Sequence, residues 1–260
     1  MAEHPHELPD GFGRTALSQL GTLGAGNHFL EVCLDELDVV WVVLHSGSRG
    51  VGNKLAGQHI KLAKLQGQAL EDRDLAYFLE GTPEFAVYVS DMLWAQSYAL
   101  ENRELMMDAA LADLFKAVGH GQETARINCH HNFAQQEVHD GRLLWITRKG
   151  AIQATKGMLG VIPGSMGTRS YIVEGLGNPD SYMSASHGAG RRLSRGAAKR
   201  ELTPESLVEA MAGKAWNKDA KGLLDEHPLA YKPIDQVMDS QNDLVRIVHT
   251  LHQVANYKGV

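Results

Sequence analysis

At 260 residues, with 43 % hydrophobic and 22 % charged residues, the chain has the composition of a globular protein able to bury a sizeable core, which excludes disordered and fibrous classes. No apolar stretch is long enough to span a bilayer and no cleavable apolar leader is evident, so the expected compartment is the cytoplasm; two distant cysteines, Cys33 and Cys129, exclude a disulfide scaffold. The net charge of −6 argues against nonspecific coating of nucleic acid, yet residues 141–200 hold ten Lys/Arg against two acids, a surplus that either meets a polyanion or is cancelled by neighbours in space.

Residues 1–20, with Pro5, Pro9, Gly11 and Gly13, read as an irregular lead-in in which His4 and His6 lie at the surface. Gly21, Gly24 and Gly26 then form a turn able to aim backbone amides at an anion, leading into a predicted strand through Asn27-His28-Phe29-Leu30-Glu31. The spacing matches neither a Walker A loop nor a dinucleotide fingerprint. Val39–Leu44 is a β-branched and aromatic run, apolar on both faces, that predicts a central strand delivering His45 at its end. Arg49, among glycines and serines, suits a phosphate; the same segment also reads as a polar turn with Asn53 capping the next helix. Helical periodicity covers about 53–78 and 84–118, the second with an apolar stripe through Phe85, Val89, Leu93, Leu100 and Leu114; Gly81-Thr82-Pro83 separates the two.

Further on, Ile127-Asn128-Cys129-His130-His131-Asn132 is extended, so the two histidines point to opposite sides and one at most joins a given site. Asp140-Gly141 between β-rich flanks predicts a hairpin. Short strands are expected at 160–162, 170–173 and 181–184, with Pro163-Gly164-Ser165-Met166-Gly167-Thr168 a loop able to present amides and hydroxyls to a nucleotide. The last of these strands delivers Ser186-His187-Gly188-Ala189-Gly190-Arg191, where small neighbours leave the imidazole open to a phosphate. Its residue type allows a nucleophile, an acid or base, a metal ligand, or an incidental turn histidine. Thr203-Pro204 starts a helix that Gly213 ends, and Ile234, Val237, Leu244, Ile247, Val248 and Leu251 predict a terminal helix. The fold class expected is α+β, or mixed α/β: a single domain over 1–260 with a central mixed β core and peripheral helices.

Seven segments in one order, GTLGAGNHF, HSGSRG, INCHHN, TRKGAI, VIPGSMGTRS, SHGAGR and VHTLHQVANYKG, cover nearly the whole chain, which by them resembles the RtcB family of RNA-splicing ligases. The resemblance implies a GTP- and manganese-dependent ligase acting on RNA. Its substrates would be ends bearing a 2′,3′-cyclic phosphate or 3′-phosphate and ends bearing a 5′-hydroxyl, in splicing or repair, with an activating protein as an optional partner. It implies that His187 becomes guanylylated and that His28, His45 and His131 are manganese ligands. It further implies that Asn27, Phe29, Glu31, His131, Asn132, Pro163, Gly164, Ser165, Met166, Ser170, His187, Gly188, Ala189, Gly190 and Lys258 contact GTP or GMP. On that reading Phe29 stacks on guanine, Glu31 accepts from its N1–H and 2-amino group, and Arg49 and Arg195 meet RNA or phosphate. The family's D-x-G-C-G segment, whose Asp and Cys complete a two-manganese site, is not found in this sequence. The chain therefore reads as the C-terminal portion of the family's usual length or as a short form. Its alternative functions are a noncatalytic RNA- or guanine-nucleotide-binding homologue and a metal-dependent phosphoesterase.

Overall fold

The computed structural model describes residues 12–66 and 70–259, so Pro5, Pro9, Gly11, His4 and His6 lie outside the described residues. Two compact units emerge, Met1–Thr22 with Ser46–Ala110, and Leu23–His45 with Leu111–Val260.

The first unit is helical. Against the expected irregular lead-in, Phe12–Gln19 forms α1, because Phe12, Ala16 and Leu20 recur at four-residue intervals and the face they make packs on other helices. It meets α2 (Arg49–Leu65), through Val51 and Leu55, and α3 (Pro83–Val118), through Trp94 and Tyr98. Burying each such large side chain contributes roughly 1.5–3 kcal/mol. Helix α2 begins before Asn53, leaving that residue inside it, and ends at Leu65 rather than near 78. Asp72 has extended backbone and its side chain accepts from the Asp74 amide, which turns the chain into a short 3-10 segment, Arg73–Leu75. The expected apolar stripe of α3 is only partly buried: Leu93 and Leu100 are exposed and Phe85, Val89 and Leu114 half-buried, while Ala99 is buried together with Asp91, Trp94, Tyr98 and Asn102. Those polar groups have partners: Tyr98 donates to the Ala16 carbonyl at 2.7 Å, and Asn102 Oδ1 accepts from the Gly21 amide at 2.7 Å.

The second unit supplies the β structure. Strands β1 (Phe29–Leu34), β2 (Val40–His45), β3 (Asn132–His139), β4 (Arg142–Lys149), β5 (Ala151–Gln153), β6 (Leu159–Pro163), β7 (Ser170–Gly175), β8 (Ser184–Ser186), β9 (Ala215–Trp216) and β10 (Val245–Lys258) are joined by α4 (Arg195–Glu201), α5 (Pro204–Ala210) and α6 (Ile234–Asp239). The main sheet runs β2-β1-β10-β7-β6 with antiparallel neighbours, and β9 adds to β10 in parallel, so the sheet is mixed as expected of an α+β chain. Strand β7 is buried on both faces. Ile172 joins Phe29, Cys33, Val43 and Leu251 on one side, while Tyr171 and Val173 join Ile152, Ile162, Ile234 and Val245 on the other.

Three expectations need correcting here. The run at Val40–His45 is an edge strand rather than a central one, with Val39 and Val40 exposed. The expected terminal helix stops at Asp239, and Val245–Lys258 is instead the longest strand, sharing the middle of the sheet with β1 and β7. Its β-branched Val245, Ile247, Val248, Thr250 and Val254 favour extended backbone, and pairing on both sides satisfies the ladder. The strand expected at 181–184 starts three residues later, after a 3-10 turn at Pro179–Ser181 and left-handed Tyr182 and Met183. The hairpin forms as expected between β3 and β4, with Asp140 and Gly141 both at positive φ as a type I′ turn requires.

Candidate functional site

Register builds the site. In the β1 pairings Phe29 lies opposite His45 of β2 on one side and opposite Lys258 of β10 on the other. Hence the His45 ring stacks on Phe29 at 5.5 Å, and Lys258 Nζ stands 5.0 Å from the Phe29 ring centre. Two residues along, Glu31 faces Asn256, which donates to it at 2.5 Å. A bulge makes this possible: Val32 pairs with Ala255 and Cys33 with Gln253, leaving Val254 unpaired. The extra residue shifts parity, so Leu251 and Gln253 before it and Asn256 and Lys258 after it are all buried.

A row of imidazoles extends from His45. His28 is 5.6 Å from it between ring centres, His131 4.6 Å, and His187 lies stacked 5.4 Å beyond His131. The glycine turn before β1 brings His28, the end of β2 brings His45, the residue before β3 brings His131, and the residue after β8 brings His187. Gly150, at φ 72°, ties the last two together: its amide donates to the His131 carbonyl at 2.9 Å and to Asn132 Oδ1 at 3.0 Å, and its carbonyl accepts from the His187 amide. A Cβ on Gly150 would stand 3.2 Å from the His187 imidazole, so glycine is needed there. As expected, the adjacent His130 points elsewhere, against Phe133.

Burial first, then the neighbouring His131 and His28, hold His45 well below the ordinary histidine range, so it is neutral at pH 7. Burial also lowers His187, opposed by a hydrogen bond to the Gly150 backbone. Since a backbone carbonyl can only accept, one ring nitrogen of His187 carries the proton and the other keeps its lone pair. Asn27 Nδ2 lies 3.4 Å from His45 Nε2.

The other expected positions gather around this row. The Pro163 carbonyl accepts from the Ala189 amide at 3.0 Å, pinning the Pro163–Met166 loop to His187–Gly190, and a Cβ on Gly188 would stand 3.0 Å from that same carbonyl. Ser165 offers its carbonyl to Gln253, whose amide also lies 3.5 Å from Ser170 Oγ. Met166 and Ser170 are fully buried, Met166 among Leu207, Met211 and Leu223. Phe29, expected to stack on guanine, packs with Cys33, Val43, Ile172 and Leu251 while its ring meets His45. Burial pushes the Glu31 carboxyl up to about 7, against the lowering pull of Lys258 and of the Asn256 and Gln253 amides. Arg195 pairs with Asp225 at 2.7 Å and Lys199 with the same carboxylate at 3.5 Å, so part of the positive surplus is cancelled in space. Arg49 belongs to the helical unit, where it donates to Thr22 Oγ1.

Three imidazoles in a row are suitable donors for a borderline divalent metal. Among the described residues, however, no three His, Cys, Asp or Glu side chains converge as a closed ligand set. The donor types fit, and a closed site would need further oxygen or sulfur ligands. Sequence reading missed Gly150, Gln253, Asn256 and Glu226. The two amides were hidden by the helical reading of the last segment, and the acid carried no motif.

An α+β fold thus carries four imidazoles in a row beside a buried carboxylate–ammonium pair, a histidine-based site. The family model described as tRNA-splicing ligase RtcB matches residues 2–259. The chain is 50 % identical over 250 residues to the RNA-splicing ligase RtcB of Escherichia coli strain K12, covering 92 % of this chain and 61 % of that protein. It is 33 % identical over 284 residues to the Mycobacterium tuberculosis RNA-splicing ligase RtcB (94 % and 65 %), and 35 % identical over 295 residues to the Aeropyrum pernix tRNA-splicing ligase RtcB (95 % and 60 %). The chain belongs to the RtcB family of tRNA-splicing ligases, and it spans about three fifths of the length of these curated relatives. No helix among the described residues is long and apolar enough to cross a membrane.

Proposed function

We propose that the chain carries the nucleotidyl-transfer centre of a GTP- and manganese-dependent RNA ligase. Its substrates are RNA 3′-phosphate or 2′,3′-cyclic phosphate ends and RNA 5′-hydroxyl ends. The observation that carries the proposal is the position of His187, at the end of the imidazole row beside Gly150 and beyond the three histidines that suit a metal. In the first step the unprotonated His187 nitrogen attacks the α-phosphorus of GTP, a P–N bond forms, and the P–O bond to pyrophosphate breaks. In the second the RNA 3′-phosphate takes the guanylyl group and frees the imidazole. The 5′-hydroxyl oxygen then attacks the 3′-phosphorus, its proton is lost, and GMP leaves. A cyclic phosphate first takes up water to give the 3′-phosphate.

His28, His45 and His131 would hold manganese, which when bound neutralises phosphate charge as a Lewis acid. Residues of this chain do the rest. The lowered basicity of His187 keeps it a neutral nucleophile at pH 7, and Gly150 and Gly188 let the backbone approach the His187 ring and the Pro163 carbonyl closely. Glu31, a buried carboxylate with spare lone pairs, suits the N–H edge of guanine. One observation favours a second reading, a noncatalytic guanine-nucleotide or RNA binder: the absence of a closed metal ligand set among the described residues. Incubation with [α-32P]GTP and Mn2+ separates the two. Ligase chemistry gives an acid-labile label on the protein that His187→Ala abolishes; nucleotide binding without label, in a folded protein, supports the binder and overturns the ligase.

A further inference from the structure

Glu226 is a heavily engaged buried carboxylate of the β unit, and no sequence motif marked it. It sits in a 3-10 segment, Leu224–Glu226, and is 2 % exposed. Four groups converge on its two oxygens: Tyr231 Oη at 2.6 Å, Lys258 Nζ at 3.1 Å, an Arg191 nitrogen at 3.3 Å and an Arg195 nitrogen at 3.4 Å. A buried carboxylate with this many donors is fixed in place, and removing its charge leaves buried cations uncompensated. Lys258 is itself 4 % exposed, with its ammonium over Phe29 and within electrostatic reach of Glu31. Four flexible methylenes carry that ammonium, so its place between the two carboxylates is set by what it bonds.

We infer that Glu226 is a positioning residue of the nucleotide site: it fixes the Lys258 ammonium beside Phe29 and Glu31, and by the same carboxylate it joins Lys258 to Arg191 and Arg195 at the base of the basic tract. The inference rests on the proposed guanine-nucleotide site insofar as Lys258 serves that site, but the placement of Lys258 is a separate fact that can be read without nucleotide. Removing the Glu226 charge leaves Lys258 within electrostatic reach of Glu31, so the ammonium moves toward Glu31 and occupies the carboxylate that the base would use. Charge on the arginines and charge on Lys258 are also linked, because a phosphate drawing Arg195 away leaves more of Glu226 to Lys258.

The experiment compares wild type, Glu226→Gln, Glu226→Asp and Asp225→Asn. Asp225 lies in the same segment and pairs with Arg195 and Lys199, with no bond to Lys258, so its variant controls for loss of a buried negative charge at this place. The first readout is the Lys258 ammonium in 1H–15N spectra, assigned by its disappearance in Lys258→Met. It is expected to shift or vanish in Glu226→Gln, to be partly restored in Glu226→Asp, and to stay in place in Asp225→Asn. The second is binding of a fluorescent GTP analogue, expected to weaken about tenfold in Glu226→Gln and to be unchanged in Asp225→Asn. A Lys258 signal that does not move in Glu226→Gln overturns the inference whether or not nucleotide binds, as does equal movement in Asp225→Asn. A shifted signal in a protein whose wild type binds no GTP upholds the positioning and sinks the nucleotide site instead.

Discussion

Glu31→Gln is expected to stabilise the protein at alkaline pH and to change little in acid. Burial raises the Glu31 carboxyl from its ordinary 4.5 to about 7 although Lys258, Asn256 and Gln253 all pull the other way. A folded-state value above the unfolded one means that the native state holds the proton more tightly. The resulting stabilisation is fully present below about pH 4.5 and is lost as pH rises through about 7. At about 1.4 kcal/mol per tenfold change, the interval amounts to roughly 3 kcal/mol. Glutamine keeps the shape and an oxygen for Asn256 to donate to, and it never ionises. The difference between the two proteins therefore isolates Glu31 from the histidines that titrate nearby. Urea unfolding of both from about pH 4.5 to about pH 8.5 should show the variant gaining by roughly 3 kcal/mol across the range. A gap that stays flat, or one that widens in favour of wild type, would refute the argument that burial outweighs Lys258.

His45→Ala removes the middle imidazole of the row and should lower Mn2+ affinity at least about tenfold, read by electron paramagnetic resonance of free ion; equal affinity would take these histidines out of the ligand set. Arg195→Gln should weaken binding of a 3′-phosphorylated RNA and reduce the slope of log affinity against log salt by about one, whereas an unchanged slope would place Arg195 away from the RNA. A Cβ on Gly259 would stand 1.5 Å from the Gly24 carbonyl oxygen, so Gly259→Ala should destabilise by about 1–3 kcal/mol and lower the urea midpoint. An unaltered midpoint would show that this close approach is not kept in solution.

Much of the site could be read from residue types because turn chemistry is local. Asp140-Gly141 specified its hairpin, glycines marked the turn before His28, and the alternation at His130-His131 correctly assigned one histidine to the row. Long-range pairing was harder to read. Val245–Lys258 places apolar residues three and four apart, as a helix would, because a second bulge near Val248 and the one at Val254 break the two-residue alternation that would have announced a strand. At α1 the glycine and prolines before it obscured a helix whose stability comes from packing on Val51, Leu55, Trp94 and Tyr98. Glu226 was invisible for a different reason: its partners Arg191 and Lys258 are 35 and 32 residues away, and charge alone does not say which distant cations converge.

The unpaired Val254 makes the end of β10 sensitive to counting. Substitutions at Val254 or Tyr257, whose side chains are exposed, leave the inner face as it is. Losing or gaining one residue between Leu251 and Lys258 exchanges inside for outside, turning Asn256 and Lys258 to solvent and bringing Tyr257 in. A change of two restores the facing but carries the ammonium one pleat along, past Phe29. Over these eight positions the strand can vary freely in composition on its outer side while its length is fixed by the carboxylates that Lys258 must reach.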